Sequence, residues 1–578
     1  MSSAQIKTHP DIDISDFDAD FPPILKQVLL RRGIHSLQDL DYSLSNLLPF
    51  SQLLNIELAV DLLVQALAQQ WRVLIVADFD ADGATSCAVA IKALKAMGLT
   101  EISYLVPDRF KHGYGLTPII SELASQRQPD LLITVDNGIS SMEGVQRANE
   151  LGMKVLITDH HFPAKTLPDA SVIINPNLHG DNFKSKNLAG VGVIFYVMMA
   201  LRARLRQQNW FNAQRPEPNL GQLLDLVALG TVADVVPLDY NNRILVYQGI
   251  QRIRANHCCR GLQALIQVAK RQQASLTTND LAFSVAPRLN AAGRMETMNY
   301  GIECLINTTD NALSQAQTLD EFNQQRRAVE GNMQQQALDL LKNIELDEEN
   351  LPFGLCLYQP DWHSGVIGIV ASRIKEKYHR PVIIFTQDSD TENNGLVRGS
   401  ARSVTGVHIR DVLEHINSQH PKMIKRFGGH AMAAGLTLAQ KDLTSFKQYF
   451  DEKIRQQLNI ADLQGQILSD GELEACDFTL QFANQLRNLT PWGQHFFEPL
   501  FSNHFHIVQR KWLQDKHLKM TVKLPNNSQH IEAILFNVDA DARLPETINQ
   551  VHLAYRLDIN DFRGKQTLQL MVKHLQWD

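Results

Sequence analysis

Three aspartates at alternate positions, Asp78, Asp80 and Asp82, constrain this chain more than any other stretch. They follow a short apolar run, Val73-Leu74-Ile75-Val76, and precede Gly83, Thr85, Ser86 and an apolar stretch over 88–94. The run reads as a buried parallel strand and the stretch after the aspartates as the start of a helix. A strand-to-helix turn ordinarily offers backbone N–H groups to an anion; this one offers three negative charges. Carboxylates so close together repel one another, and the natural counter-charge is a divalent cation bound by oxygen ligands. The competing reading is a solvated aspartate-rich cap, which turns of this composition also form.

The rest of the first half favours the cation. Short apolar runs at 102–106, 131–135, 155–158 and 172–174 alternate with helical patterns at 117–125 and 142–151. That alternation predicts an α/β fold with a doubly wound parallel sheet. Each run is followed by polar residues: Asp108 and Arg109, then Asp136 and Asn137, then Asp159, His160 and His161. Open parallel sheets bind ligands beyond the carboxyl ends of their strands, so these groups belong to one edge. A helix over 223–229 leads into Gly230-Thr231-Val232-Ala233-Asp234, where the acid sits among small and β-branched residues. Asp234 is expected as a further ligand, with a helix-terminal cap as the alternative.

The charge balance then turns basic. Between 251 and 294, Arg252, Arg254, Arg260, Lys270, Arg271, Arg288 and Arg294 face only Asp280. Residues 287–294, PRLNAAGR, read as a small-residue turn placing Arg288, Asn290 and Arg294 near phosphates, with a solvated basic face as the rival reading. A polar, helically spaced stretch over 310–345 predicts one connecting helix. A second α/β unit follows, with strands at 355–358 and 382–385 and a helix at 364–377. Two expected loops in it suit a polyanion: 398–403, with Ser400 and Arg402, and 427–431, with Gly428, Gly429 and His430. From about 459 the pattern becomes alternating strands, closed by a hairpin turn at 561–565, and predicts a small OB-type β-barrel. The expected domains are an N-terminal arm of short helices (1–50), a catalytic domain (51–309), the connecting helix (310–345), the second α/β domain (346–458) and the barrel (459–578).

A formal net charge of −7 argues against non-specific nucleic-acid binding by the whole molecule while allowing a local basic channel. No stretch reaches the ~20 apolar residues of a membrane span. The N-terminus lacks signal-peptide character, and the six cysteines show no metal spacing. A cytoplasmic protein with reduced thiols is expected.

The segments ADFDADG, VPDRFKHGYGL, TVDNG, TDHH, GTVADVVPL, PRLNAAGRM, GSARS and FGGHAMAAG occur in this order. Together they resemble the DHH phosphoesterase family, and within it the bacterial exonucleases specific for single-stranded DNA. The resemblance implies a DHH catalytic domain, a DHHA1-type domain and an OB-type barrel. It implies two Mn²⁺ or Mg²⁺ ions held by Asp80, Asp82, Asp136, His160 and Asp234, with Asp136 bridging them. Asp78 would be an additional ligand or an outer base, and Asp159 would orient a histidine. His161, Arg109, Asn290 and Arg294 would touch the scissile phosphate, and Ser400 and Arg402 a terminal 5′ phosphate. The implied activity is 5′→3′ hydrolysis of single-stranded DNA to mononucleotides by a monomer, in DNA repair and recombination. Single-strand binding protein and a RecQ-type helicase are the implied partners. One departure stands out: many relatives carry a metal-binding histidine four residues before Asp80, where this chain has Val76. Two other functions compete. A DHH phosphodiesterase for short oligonucleotides or cyclic dinucleotides would not need the barrel, and a non-catalytic replication scaffold would not need the ligands.

Overall fold

Five apolar runs form one parallel sheet in the order Ile102–Leu105, Val73–Ala77, Leu131–Val135, Lys154–Thr158, Val172–Ile174. The second strand in sequence lies outside the first, so the order reverses between Val73–Ala77 and Leu131–Val135. This is the doubly wound arrangement the alternation predicts, and it opens a crevice at the reversal. One face is covered by the helices Pro118–Ser125 and Met142–Glu150, whose Ile120, Ala124, Val145 and Ala148 meet Leu74, Val76, Leu132 and Val155. The helix Ala81–Ala96 is buried along most of its length. Its alanines, glycine and small polar residues let it pack closely against the helices Gly190–Gln207 and Leu224–Ala233.

The computed structural model describes residues 5–15, 17, 20–109, 111–343, 352–388, 395–463, 465–538, 543–562 and 564–577. The chain divides into two units, one of Asp11–Asn323 with Asn484–Glu498, the other of Met1–Pro10, Gln324–Ala483 and Pro499–Asp578. The parallel sheet lies in the former. In the latter, a five-stranded mixed sheet runs Ile424–Gly429, Ala433–Ala439, Leu396–Arg402, Val382–Gln387, Leu355–Tyr358. The strands Phe501–Leu513, His517–Lys523, Ile531–Leu535, Lys565–Gln576 and Gln550–Phe562 close into a barrel in that order. Its core is aromatic: Phe478, Phe501 and Phe505 surround Tyr555. The long helix spans Ala312–Asn343. Among the described residues no single helix is long and apolar enough to cross a membrane.

Several expectations change. The chain's start was expected to belong to an arm of short helices. Instead Gln5–Thr8 is a strand paired in parallel with Gln466–Ser469, so this segment belongs with the unit that holds the barrel. Residues 287–294 are not a turn but lie within the helix Ala286–Met295, built from good helix formers with Pro287 in its first turn. A widened π-turn, Leu281–Val285, precedes the proline; such a turn accommodates the missing donor and the ring. Residues 398–402 and 427–429 are strand rather than loop. In Leu396–Arg402 the inward positions are Val397, Gly399 and Ala401, whose small side chains hide the alternation from a sequence reading. The second helix of that unit starts at Ile367, three residues later than expected. The hairpin at 561–565 joins paired strands at Phe562 and Lys565, and Arg563 lies outside the described residues.

The fit of the helix Ala286–Met295 against the aspartate turn yields a test. A Cβ on Gly293 would lie 1.9 Å from the Phe79 carbonyl oxygen, whereas one on Gly331 in the long helix would meet nothing within 4 Å. Gly293→Ala should therefore destabilise by roughly 1–3 kcal/mol, the usual cost of overpacking. Gly331→Ala should stabilise by about 0.5–1 kcal/mol through the lost chain entropy of glycine. Urea unfolding of both variants checks the opposite signs; equal shifts would show that the contact at Gly293 relaxes freely.

Candidate metal centre

At the reversal of the sheet, Asp78 follows the strand Val73–Ala77 and Asp136 follows Leu131–Val135. Asp78, Asp80 and Asp136 bring carboxylate oxygens within 4.8 Å of one another, and Asp82, His160 and Asp234 do the same with their ligand atoms. The two groups adjoin through His160, whose Nε2 lies 3.2 Å from Asp136 Oδ1 and 3.4 Å from Asp234 Oδ2. A third grouping joins Asp136, His160 and His161. The structure thus brings together all six residues expected as ligands.

Local backbone chemistry sets each one. Asp80 Oδ1 accepts the N–H groups of Asp82 and Gly83, both at 3.0 Å, and caps the helix Ala81–Ala96. The solvated-cap reading was therefore right about this oxygen, and the turn serves both purposes. Asp82 reaches the N-terminus of another helix, accepting from Gly190 N at 2.6 Å and Val191 N at 3.0 Å. Asp136 has φ 62°, a left-handed conformation that aspartate tolerates better than most residues. Asn137 braces that turn by donating to the Val76 and Val135 carbonyls, which ties the two diverging strands. Gly190 has to lack a side chain, since a Cβ there would lie 2.6 Å from Asp136 Oδ1. Sequence reasoning missed this residue, although Gly190 and Gly192 at the start of an apolar helix were a visible signal.

The electrostatics ask for a cation. Asp82 is pushed up to about 7, first by burial and then by Asp80. Asp78, Asp136 and Asp234 are raised well above the carboxylate range, again by burial first and by neighbouring aspartates second. Asp136 Oδ1 is buried with no hydrogen-bond partner among the described residues. Asp234 sits at the C-terminal end of the helix Leu224–Ala233, where the helix dipole disfavours a negative charge. A carboxylate in that place, aimed at His160, is costly unless positive charge is nearby. Five carboxylates and one imidazole form a donor set suited to Mn²⁺ or Mg²⁺, and these residues fit such a centre.

Around the centre, Asp159 is fully engaged: its carboxylate accepts from the backbone of Ile139, His160 and His161. It also lies 2.7 Å from His161 Nδ1. The histidine it orients is therefore His161 rather than His160. Burial works against a charged His161 ring, but the bond to Asp159 and the neighbouring acids raise it to about 9. Arg109 lies over the ring of Phe79, 4.1 Å from its centroid, beside the aspartate turn. Asn290 Oδ1 accepts the Ala81 N–H at 2.9 Å, and Arg294 lies one turn further along the same helix. Arg288 is buried, pairs with Asp320 at 2.8 Å and donates to the Ser284 carbonyl. These contacts tie it to the long helix and to its own preceding turn. Val76 lies within the apolar core beside Leu74, Leu116 and Ile120, and Asp78, two residues on, is grouped with Asp80 and Asp136.

The second unit holds a different arrangement. Arg402 Nη1 donates to Ser400 Oγ at 3.2 Å and to the Ala401 carbonyl at 2.8 Å. Burial lowers its pKa, and among the described residues no carboxylate pairs with it. A Cβ on Gly368 would lie 2.8 Å from Arg402 Nη2 and 2.9 Å from Ser400 Oγ, which places the first turn of the helix Ile367–Tyr378 against this pair. A guanidinium and a helix N-terminus together favour an anion. Sequence reasoning missed Gly368, whose signal was the glycine punctuation of His363-Ser364-Gly365-Val366-Ile367-Gly368. Ser400, Gly435 and Gly428 are register partners across three strands, so a side-chain-free strip leads away from Ser400. Gly429 has φ 143°, and His430 N donates to the Ala433 carbonyl in the turn that follows.

The chain matches the DHH family, N-terminal domain, over residues 72–231, the DHHA1 domain over 352–456 and the RecJ OB domain over 469–574. It is 46% identical over 573 residues, 99% of both chains, to the single-stranded-DNA-specific exonuclease RecJ of Escherichia coli. It is 48% identical over 557 residues, 96% of both chains, to the protein of that name from Haemophilus influenzae. Among solved structures it is similar to RecJ in complex with Mn²⁺ from Thermus thermophilus, with TM-score 0.78 and 28% identity over 96% of this chain and 76% of that one. Similarity of this extent, from the first strand through the barrel, means that the chain belongs to the RecJ family of single-stranded-DNA-specific exonucleases.

Proposed function

We propose that this chain hydrolyses single-stranded DNA from the 5′ end to mononucleotides, with two Mn²⁺ or Mg²⁺ ions, in DNA repair and recombination. The observation that carries the reading is the buried cluster of Asp78, Asp80, Asp82, Asp136 and Asp234 around His160, in a chain 46% identical to an exonuclease of that specificity. Bound there, divalent ions supply Lewis acidity and bring the pKa of water from ~15.7 down toward neutrality. The chain's own residues do the rest. Asp78, Asp80, Asp82, Asp136, His160 and Asp234 would hold the ions, with Asp136 and His160 each belonging to two of the groupings. His161 carries a proton that Asp159 holds in place, and presents positive charge to the non-bridging oxygens of the phosphate. Arg109, beside the aspartate turn, and Arg294, on the helix of Asn290, add charge in this reading, and Asn290 steadies the turn itself through Ala81. No side chain is needed as a covalent nucleophile.

Polarity needs a group that recognises an end, because internal phosphodiesters are alike to the metal centre. Ser400 and Arg402, beside the helix start at Gly368, take the 5′-terminal phosphate in this reading, and Gly428, Gly429 and His430 lie along the strip that carries the strand. The barrel favours a long strand over a dinucleotide substrate. The enzyme acts as a monomer in the cytoplasm. Single-strand binding protein and a RecQ-type helicase belong to the reading through family resemblance alone.

Two outcomes follow. Asp136→Ala should abolish hydrolysis of a 5′-phosphorylated oligonucleotide in Mn²⁺ while the fold, and binding of the strand by fluorescence anisotropy, persist; near-parental rates would exclude the metal mechanism. Arg402→Ala should penalise kcat/KM on 5′-phosphorylated substrates by roughly 1.5–3 kcal/mol, the worth of a charged hydrogen bond, and affect 5′-hydroxyl substrates much less. Equal losses on both would mean that Arg402 holds the strand generally, and release of nucleotides from the 3′ end would overturn the polarity.

A further inference from the structure

Tyr114 is arranged the reverse of an ordinary surface tyrosine. Such residues bury the ring and leave the hydroxyl in water. Here the hydroxyl is turned inward, donating to the Asp136 carbonyl at 3.3 Å, while the residue as a whole is 46% exposed. The ring stands edge-on to Phe79 and to His161, with centroids 5.9 and 6.0 Å away. It is thus fixed between the aspartate turn and the histidine beside the metal ligands. Gly113 and Gly115 flank it at φ 76° and 71°, a backbone that other residues rarely adopt on both sides of one position. A tyrosine serving only to anchor its loop would gain more by covering its ring, since exposed aromatic surface forgoes hydrophobic stabilisation.

We infer that Tyr114 is a base-contacting residue, its open ring a stacking platform for a nucleobase next to the scissile phosphate. The inference rests on the exonuclease reading and deepens it. A nucleotide whose phosphate lies at His161 carries its base within reach of a ring about one aromatic spacing away, and stacking tolerates every base because each has a π-face. The role suits an enzyme that must accept all sequences yet grip the terminal nucleotide.

The test uses the full-length chain with Mn²⁺ and two 5′-phosphorylated oligonucleotides. One carries normal bases; in the other, the nucleotides on both sides of the first scissile phosphate are abasic. The parent should prefer the normal strand in kcat/KM at the first cleavage by about five- to 150-fold, the usual worth of one stacked base. Tyr114→Phe should keep that preference. Tyr114→Ala and Tyr114→Leu should lose it, cutting both strands at the rate the parent cuts the abasic one. Mn²⁺ binding by calorimetry should match the parent in Tyr114→Leu, which separates loss of the platform from damage to the metal centre. If either variant kept the parental preference, or the parent showed none, Tyr114 would not contact a base. Absence of hydrolysis by the parent would overturn the exonuclease reading and this inference with it.

Discussion

Like charge held out of water is the constraint on which the first unit depends. Two carboxylates ~4 Å apart repel by roughly 4 kcal/mol at an effective dielectric constant of 20. Here Asp78, Asp82 and Asp136 lie buried together, with Asp80 and Asp234 beside them. Burial and mutual repulsion both push these groups toward protonation. A fold would not retain such an arrangement for its own stability, since apolar residues of similar volume would serve better. The surrounding structure works to keep the acids in place. Helix N-termini face Asp80 and Asp82, Asn137 ties the diverging strands, and Gly190 leaves room for the Asp136 carboxylate.

The neighbouring histidines show how one motif divides its labour. His160 turns toward Asp136 and Asp234, while His161 is drawn toward Asp159. Divalent charge at the ligands would offset the acids that raise His161 from a distance, but not the direct bond from Asp159. The proton on His161 therefore depends chiefly on Asp159, a carboxylate outside the cluster around His160. Adjacent residues in sequence thus do distinct work because a strand end sends their side chains to different partners.

The second unit poses the opposite electrostatic problem. Arg402 is a partly buried cation without a carboxylate partner among the described residues, set against the start of a helix. Positive charge left uncompensated, at the end of a dipole that also favours anions, is costly until an anion arrives. The first unit is short of cations and the second of an anion, and a metal-dependent enzyme with a phosphorylated strand supplies both.

The cluster of acids around His160 was legible in the sequence because chemistry and topology coincide there. Alternating apolar runs place Asp78, Asp80, Asp82, Asp136 and His160 after strand ends, and in an open parallel sheet strand ends share one edge. Asp234 was readable for a related reason, an acid set among small and β-branched residues. The tertiary structure decided what depends on contacts distant in sequence. Arg288 and Arg294 look alike in the segment PRLNAAGR, yet the helix that replaces the expected turn sends Arg288 to Asp320 and leaves Arg294 on the face of Asn290. The strand at Ser400 was hidden because glycine and alanine at inward positions erase the period-two pattern, and the one at Gly428 because a register shift between Ile424 and Arg426 interrupts it. The first strand, Gln5–Thr8, finds its partner some 460 residues away. Gly190, Gly293 and Gly368 matter through what approaches them; neighbouring glycines hint at a close approach, but the sequence does not say which remote segment makes it. Local periodicity and charge thus determined which groups reach the sheet edge, whereas the close contacts between remote segments determined which of them can act.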